Sequence, residues 1–338
     1  MTTSILQLAA GSNPLAEVLA DRLEEVSILF ERQLASELSA VNSLCRIVER
    51  YRGKMLRPTL VLVSGVAAQG GTKTDNINDS ITDQHVTVAA VVEMIHMATL
   101  VHDDVLDEAD VRRRGATVNH LRGNEAAVML GDYLISNSFY LCSKLNDPRI
   151  NLALGAVTNR LCEGELVQLH HRDNAGLDEQ TYFEIIHRKT ASLIAECCRL
   201  GATLSRADDT IAGALHRFGH ALGTAFQIQD DLLDLAGDTR LIGKPIGKDL
   251  GKGKITLPVI YHLTDADQTE RGRVLRLIEK GETDALAERL AESGAVDRAA
   301  DTAHKLVQRA QRDLDAITPG PARDMLHIMA DAVVTRNV

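Results

Sequence analysis

Asp103, Asp104, Asp107, Glu108 and Asp110 crowd one short stretch, LVHDDVLDEADVRRRG (Leu100–Gly115), and Arg112, Arg113 and Arg114 follow at once. Like charges this close repel one another, so the spacing suggests a cation held among them. On a helix Asp103 and Asp107 stand one turn apart on the same face, while Asp104 is rotated by about 100°. Two converging carboxylates are hard oxygen ligands of the kind Mg²⁺ takes, with its other positions filled by water and a substrate phosphate. Acids at a helix C-terminus also oppose the macrodipole, so this placement costs stability unless a cation offsets it. Taken alone, DDxxD is read equally well as solvated acidic surface.

The spacing recurs. FQIQDDLLDLAGD carries Asp230, Asp231 and Asp234 at the same intervals, again among apolar residues. Two solvated faces with identical spacing, each set in an otherwise buried helix, make a strained explanation. Basic groups flank both motifs: the three arginines after the first, and GKPIGKDLGKGK (Gly243–Lys254) after the second. Four glycines alternating with lysines suit a flap that closes on phosphate, although such a loop by itself is an ordinary solvated linker.

The elements that must carry these residues read as helices. With 45% hydrophobic and 25% charged residues in 338, the chain has ample material for a core. A formal net charge of -10 argues against a nucleic-acid partner. In NPLAEVLADRLEEVSILFERQLA, Leu15, Val18, Leu19, Leu23, Val26 and Phe30 mark an amphipathic helix behind an Asn13-Pro14 start signal. A second helix is expected from Pro58 to Gly70-Gly71, followed by a polar loop over residues 72–84. From His85 to Glu108 the chain is apolar on most sides, the pattern of a buried helix, with the acids at its end. Further helices are expected over roughly 124–145, 149–171, 178–205 and 208–237, and no alternating strand pattern stands out. The fold class expected is all-α, one domain over 1–338.

Glu93, His96 and His102 interrupt the most apolar stretch, so no membrane span is expected. MTTSILQLAAGSNP has neither a basic n-region nor a long apolar run, so the expected location is the cytoplasm. Cys45, Cys142, Cys162, Cys197 and Cys198 have no metal-ligand spacing and read as reduced core thiols. His170, His171 and Asp173 fall near a helix end without a partner cluster and read as solvated.

Five blocks, in order, resemble the trans-isoprenyl diphosphate synthases, or polyprenyl synthetases: GKMLRP, EMIHMATLVHDDVLDEADVRRRGATVNH, GDYLISNSF, HRKTASL, and FQIQDDLLD followed by GKPIGKDLGKGKITLP. The likeness runs from RGKMLRP almost to the end of the chain. It departs from the family at Arg52, where a second glycine is common, and at Met55, where a basic residue is common. The resemblance implies a single large helical bundle of the isoprenoid synthase type with a central active-site cavity, working as a homodimer. It implies an enzyme joining an allylic diphosphate, such as farnesyl diphosphate, to isopentenyl diphosphate head to tail.

By the same resemblance, three Mg²⁺ ions are held by Asp103, Asp107 and Asp230, with Asp104, Asp231 and Asp234 in support. Arg112, Lys189, Lys244 and Lys254 would meet the allylic diphosphate, and Lys54, Arg57, His96 and Arg113 isopentenyl diphosphate. Thr190 and Gln227 would face the allylic cation with oxygen dipoles. No separate general base is required, because the released diphosphate can take the proton.

Product length is read from the helix before Asp103. Thr99 lies one turn back on the same face with Ala98 beside it, and in the family bulky aromatics at these positions give short products. Both are small here, and the helix from Val86 to Asp103 offers about 25 Å for a tail. Phe139, on GDYLISNSF, is the candidate floor. The expected product is a long trans-polyprenyl diphosphate, roughly C35 to C50 and centred on octaprenyl, for a membrane quinone side chain. A shorter-chain farnesyl or geranylgeranyl synthase is one rival. A class I terpene cyclase is another, but it normally lacks the second DDxxD. A third, a non-catalytic partner subunit, tends to lose these motifs.

Overall fold

Leu15, Leu19, Leu23, Val26, Phe30 and Leu34 are all buried, as their three- and four-residue spacing requires. They form the inner face of α1 (Leu15–Leu34). The computed structural model describes residues 15–49, 51, 53–70, 80–112, 115–236 and 252–335. The fold is all-α. By proximity along the backbone the chain divides into two compact units.

The first unit draws on Met1–Thr158, Glu196–His216 and Ala316–Ile328. After α1 come α2 (Ser39–Glu49), α3 (Leu56–Ala67) and α4 (Asp83–Leu106). A two-stranded antiparallel hairpin follows, β1 (Val111–Arg112) with β2 (Gly115–Ala116), then α5 (Val118–Arg122) and α6 (Asn124–Ser143). α2 was not anticipated from sequence; it buries only Cys45, Ile47 and Val48, too few positions to stand out as a periodic face. Nor was the hairpin, whose two-residue strands are too short for an alternating pattern.

α4 packs on α6, α3 and α1. It begins with a capping box in which the Thr82 N–H donates to His85 Nδ1 at 3.2 Å. That leaves the ring proton on Nε2, which donates to Gly201 O at 3.2 Å. Burial lowers the pKa of His85, so the neutral ring that this arrangement needs is favoured. Contrary to the sequence expectation, α4 has the length and apolar composition of a membrane span. In the fold, 72% of its most apolar 18-residue window is buried inside the protein, and the interrupting Glu93 is itself only 3% exposed.

Gly201 permits one backbone-to-backbone approach that a side chain would block. A Cβ there would lie 2.2 Å from Val61 O and 2.9 Å from Gly65 N. Neither atom can move without displacing α3. Gly201→Ala is therefore expected to destabilise the protein by about 3 kcal/mol, read as a lowered thermal midpoint. A midpoint equal to wild type would mean that the two backbones separate at no cost.

The second unit draws on Asn159–Ala195, Arg217–Asp315 and Met329–Val338. Its complete helices are α8 (Glu179–Ile186), α11 (Leu257–Asp265), α12 (Gln268–Lys280), α13 (Thr283–Glu292) and α14 (Ala295–Asp313). Four further helices, α7 (Pro148–His170), α9 (Ser192–Leu204), α10 (Asp209–Ala236) and α15 (Pro321–Val334), have residues in both units. The core of the second unit gathers Ile228, Leu232 and Leu235 of α10 with Leu257, Val259 and Ile260 of α11 and Ala299 and Ala303 of α14.

The stretch 178–205, read from sequence as one helix, is interrupted. His187–Ala191 is a turn of π-helix between α8 and α9, a local widening often found at functional sites. Four of the five cysteines are buried as expected, but Cys162 is exposed, because its position on α7 faces away from the core residues Leu154, Val157 and Leu161.

Candidate active site

The first acidic motif terminates α4. Asp103 and Asp104 lie in its last turn, and Asp107 is the C-cap, its N–H bonded to Asp103 O at 2.8 Å. Asp103 and Asp107 are half-buried, whereas Asp104 is 1% exposed. The chain then turns back. Thr117 N–H donates to Asp110 O at 3.0 Å, and the β1–β2 hairpin returns Arg112 to the helix end. There its Nε and Nη2 both donate to Asp104 Oδ1 at 2.8 Å. Arg112, expected from sequence to hold diphosphate, is thus committed in part to Asp104, although a quarter of its side chain stays exposed.

Lys54 is exposed ahead of α3, and Arg57 is half-buried in its first turn. Between them Met55, at the helix N-cap, has φ +53°, a left-handed conformation unusual for a side chain of this size. His96 is half-buried on α4. Arg113 lies outside the described residues, as do Lys244 and most of the glycine–lysine loop.

Thr99 is half-buried, and its hydroxyl donates to His96 O at 2.8 Å. Ala98 is 0% exposed. It is packed on the face of α4 that turns inward with Met94 and Val101. Phe139 is half-buried on α6.

The second motif, within α10, is organised by hydrogen bonds inside the second unit. Asp231 is 5% exposed and uses both carboxylate oxygens: Tyr182 Oη donates to Oδ2 at 2.7 Å, and Gln227 Nε2 to Oδ1 at 2.8 Å. The bond to Asp231 fixes the amide orientation of Gln227. Its Oε1 then accepts from Thr190 Oγ1 at 2.8 Å, leaving the lone pairs of the threonine oxygen to face elsewhere. Asp230 and Asp234 are half-buried.

These groups border a cavity of about 100 Å³, whose wall includes Lys189, Thr190, Gln227, Asp231 and Lys254. The structure therefore brings together five of the predicted residues from segments far apart in sequence. It adds Gln168, His171 and Tyr182 to the wall. His171 was expected to be solvated; it is half-buried and faces the cavity, because the chain folds back so that Asp173 N–H donates to Gly253 O at 2.9 Å. No spacing signal distinguished it. Tyr182 could have been suspected, since it stands two helical turns before Lys189.

Lys189 pairs with Glu165 of α7. Two glycines let neighbouring helices reach the π turn that carries it. A Cβ on Gly164 would lie 2.6 Å from Lys189 N, and one on Gly223 2.7 Å from Ala191 Cα. The π turn, with its close helix contacts, thus sets the direction of Lys189 and Thr190.

Residues 40–292 match the pattern of the polyprenyl synthetase family. Heptaprenyl diphosphate synthase component 2 of Geobacillus stearothermophilus is 35% identical over 317 residues, covering 92% of this chain and 95% of that protein. The crystal structure of a decaprenyl diphosphate synthase from Rhodobacter capsulatus matches with a TM-score of 0.85 at 34% identity, covering 95% and 97% of the two chains. That of polyprenyl synthase from Caulobacter crescentus CB15, complexed with calcium and isoprenyl diphosphate, matches at 0.87 and 30% identity, covering 96% and 98%. The chain belongs to the polyprenyl synthetase family. Its chemistry is that of a prenyl diphosphate synthase, a transferase.

Proposed function

We propose that this enzyme extends an allylic diphosphate with isopentenyl diphosphate to a long trans-polyprenyl diphosphate, in the heptaprenyl-to-decaprenyl range and centred on octaprenyl. The observation that carries the mechanism is the bonded series Thr190–Gln227–Asp231–Tyr182 beside Lys189 on one cavity wall. The difficult step is breaking an allylic carbon–oxygen bond, which leaves a cation and a departing diphosphate. Lys189 and Lys254 stabilise the diphosphate charge. The Thr190 hydroxyl donates its hydrogen bond to Gln227 Oε1, so its oxygen lone pairs are left to present negative dipole to the cation.

The donor set suits Mg²⁺. Half-buried aspartates offer the hard carboxylate oxygens that Mg²⁺ takes, its remaining positions being filled by waters and phosphate oxygens. The half-buried Asp103, Asp107 and Asp230 are the proposed holders of three ions, with Asp234 in support. Asp104 and Asp231 are occupied by protein groups. When bound, Mg²⁺ neutralises charge on the leaving diphosphate. Lys54, Arg57, His96 and Arg113 are proposed to hold isopentenyl diphosphate without metal, and Arg112 and Lys244 to complete the allylic site. The proton lost on forming the new double bond passes to the released diphosphate.

The heptaprenyl and decaprenyl relatives support a long product, while other relatives make shorter chains. A cytoplasmic homodimer of single synthase domains, releasing product to a membrane for quinone side chains, completes the reading. The Geobacillus relative is named as one component of a synthase, so a heteromer is the competing arrangement. The test is to incubate the purified chain with farnesyl diphosphate, isopentenyl diphosphate and Mg²⁺, size the products, and sediment the same sample. Long polyprenyl products that vanish with chelator, from a dimeric species, are expected. An inactive chain that gains activity only with a second protein would refute the homodimeric synthase.

A further inference from the structure

The two motifs share a feature that their spacing does not reveal: in each, the second aspartate is the buried one, and a buried tyrosine stands against it. For Asp231 that tyrosine is Tyr182, bonded at 2.7 Å. For Asp104 it is Tyr51, 1% exposed, whose hydroxyl accepts from Val118 N–H at 3.0 Å. A phenol that accepts through its oxygen still has a proton to donate. The acceptor beside it is the Asp104 carboxylate. Burial first, and then the charge of Asp104, hold the Tyr51 phenol protonated far above its usual range. Both Arg112 contacts go to Asp104 Oδ1, and Oδ2, which is buried, is not reached by the guanidinium. The guanidinium carbon of Arg112 lies 6.0 Å from the Tyr51 ring centre, at the outer limit of a cation–π contact.

We propose that Tyr51 is a positioning residue for the first acidic motif, its hydroxyl tying the Val118 backbone to Asp104 and, through Asp104, fixing Arg112. The reason such a tie is needed lies in the helix end itself. Asp103 and Asp107 repel each other and oppose the dipole of α4, so the last turn frays outward unless something anchors it. Asp104, rotated inward, is the only member of the DDxxD set that can be anchored without removing a carboxylate from the metal face. Tyr51 comes from a segment fifty residues earlier and supplies a rigid attachment, since its own position is fixed by core packing.

This inference rests on the metal–diphosphate reading of the motif, and its test separates the two. Wild type, Tyr51→Phe, Asp104→Asn and the double variant of the full chain are compared in three measurements. These are kcat with each substrate KM, thermal midpoint without metal, and Mn²⁺ binding by electron paramagnetic resonance with inorganic pyrophosphate present. Loss of an outer partner of this kind costs about tenfold. Tyr51→Phe should therefore lower kcat about tenfold, raise the allylic KM but not that for isopentenyl diphosphate, and weaken Mn²⁺ binding to a similar degree. In the Asp104→Asn background it should add nothing. Multiplicative losses in the double variant, or a lowered midpoint with unchanged Mn²⁺ binding and KM values, would show that Tyr51 is ordinary core. A wild type that makes no polyprenyl product sinks the functional reading instead, and the Mn²⁺ measurement still decides the role of Tyr51.

Discussion

Alanine at Asp103 or at Asp230 lowers kcat about a thousandfold, the loss expected when a group stabilising transition-state charge is removed, yet the apo protein stays as stable as wild type. Asp103 shares the end of α4 with other acids, and removing one charge relieves repulsion and an unfavourable interaction with the helix dipole. Asp104→Ala behaves differently. It strips Arg112 of the carboxylate that accepts both of its 2.8 Å bonds and leaves Tyr51 without its acceptor. Removing one partner of a buried ion pair costs about 3 kcal/mol, reduced here to about 2 kcal/mol because Arg112 is a quarter exposed. The three variants are thus told apart by pairing steady-state rates with thermal unfolding, with and without Mg²⁺. Near-normal turnover in Asp103→Ala and Asp230→Ala would end the metal proposal. A midpoint for Asp104→Ala equal to that of Asp103→Ala would show that the second aspartate is not an anchor.

Tyrosine at Thr99 shortens the product by several isoprene units. Thr99 is half-buried one turn before Asp103, and side chains on a helix lean towards its N-terminus, so a ring there lies across the route a growing tail takes away from the motif. Pushing a packed aromatic aside is comparable to losing it from a core, about 3 kcal/mol, enough to stop elongation. Ala98→Phe, which the sequence suggests equally, is a poorer probe. Ala98 has no exposed surface, so a ring there overpacks the core and costs about 1–3 kcal/mol of stability before it reaches any tail. Phe139→Ala on α6 should lengthen the product if that ring forms the floor, and should only lower stability if it is core. Product sizing with a common allylic primer distinguishes these outcomes. An unchanged distribution for Thr99→Tyr would show that the tail does not follow α4.

Much of this protein is legible without coordinates because helical periodicity and motif spacing are local properties. The apolar repeat of α1, the buried run that becomes α4, and the one-turn relation of Asp103 to Asp107 all follow from the helical repeat of 3.6 residues acting on nearby side chains. The paired DDxxD motifs, with HRKTASL and GKMLRP in order, are enough to place the chain among the polyprenyl synthetases. Sequence spacing could not say which aspartate of each set turns inward to a tyrosine. That depends on Tyr51, itself bonded to Val118 N–H, meeting Asp104, and on Tyr182 meeting Asp231, contacts made between residues about fifty positions apart. The π turn at His187–Ala191 is likewise a tertiary decision, since Gly164 and Gly223 bring neighbouring helices against it. So is the burial of α4, whose composition alone also fits a membrane span. Local pattern determined which residues could do the chemistry. Long-range packing decided which way they point, because burial and hydrogen bonding are settled only when distant segments compete for the same space.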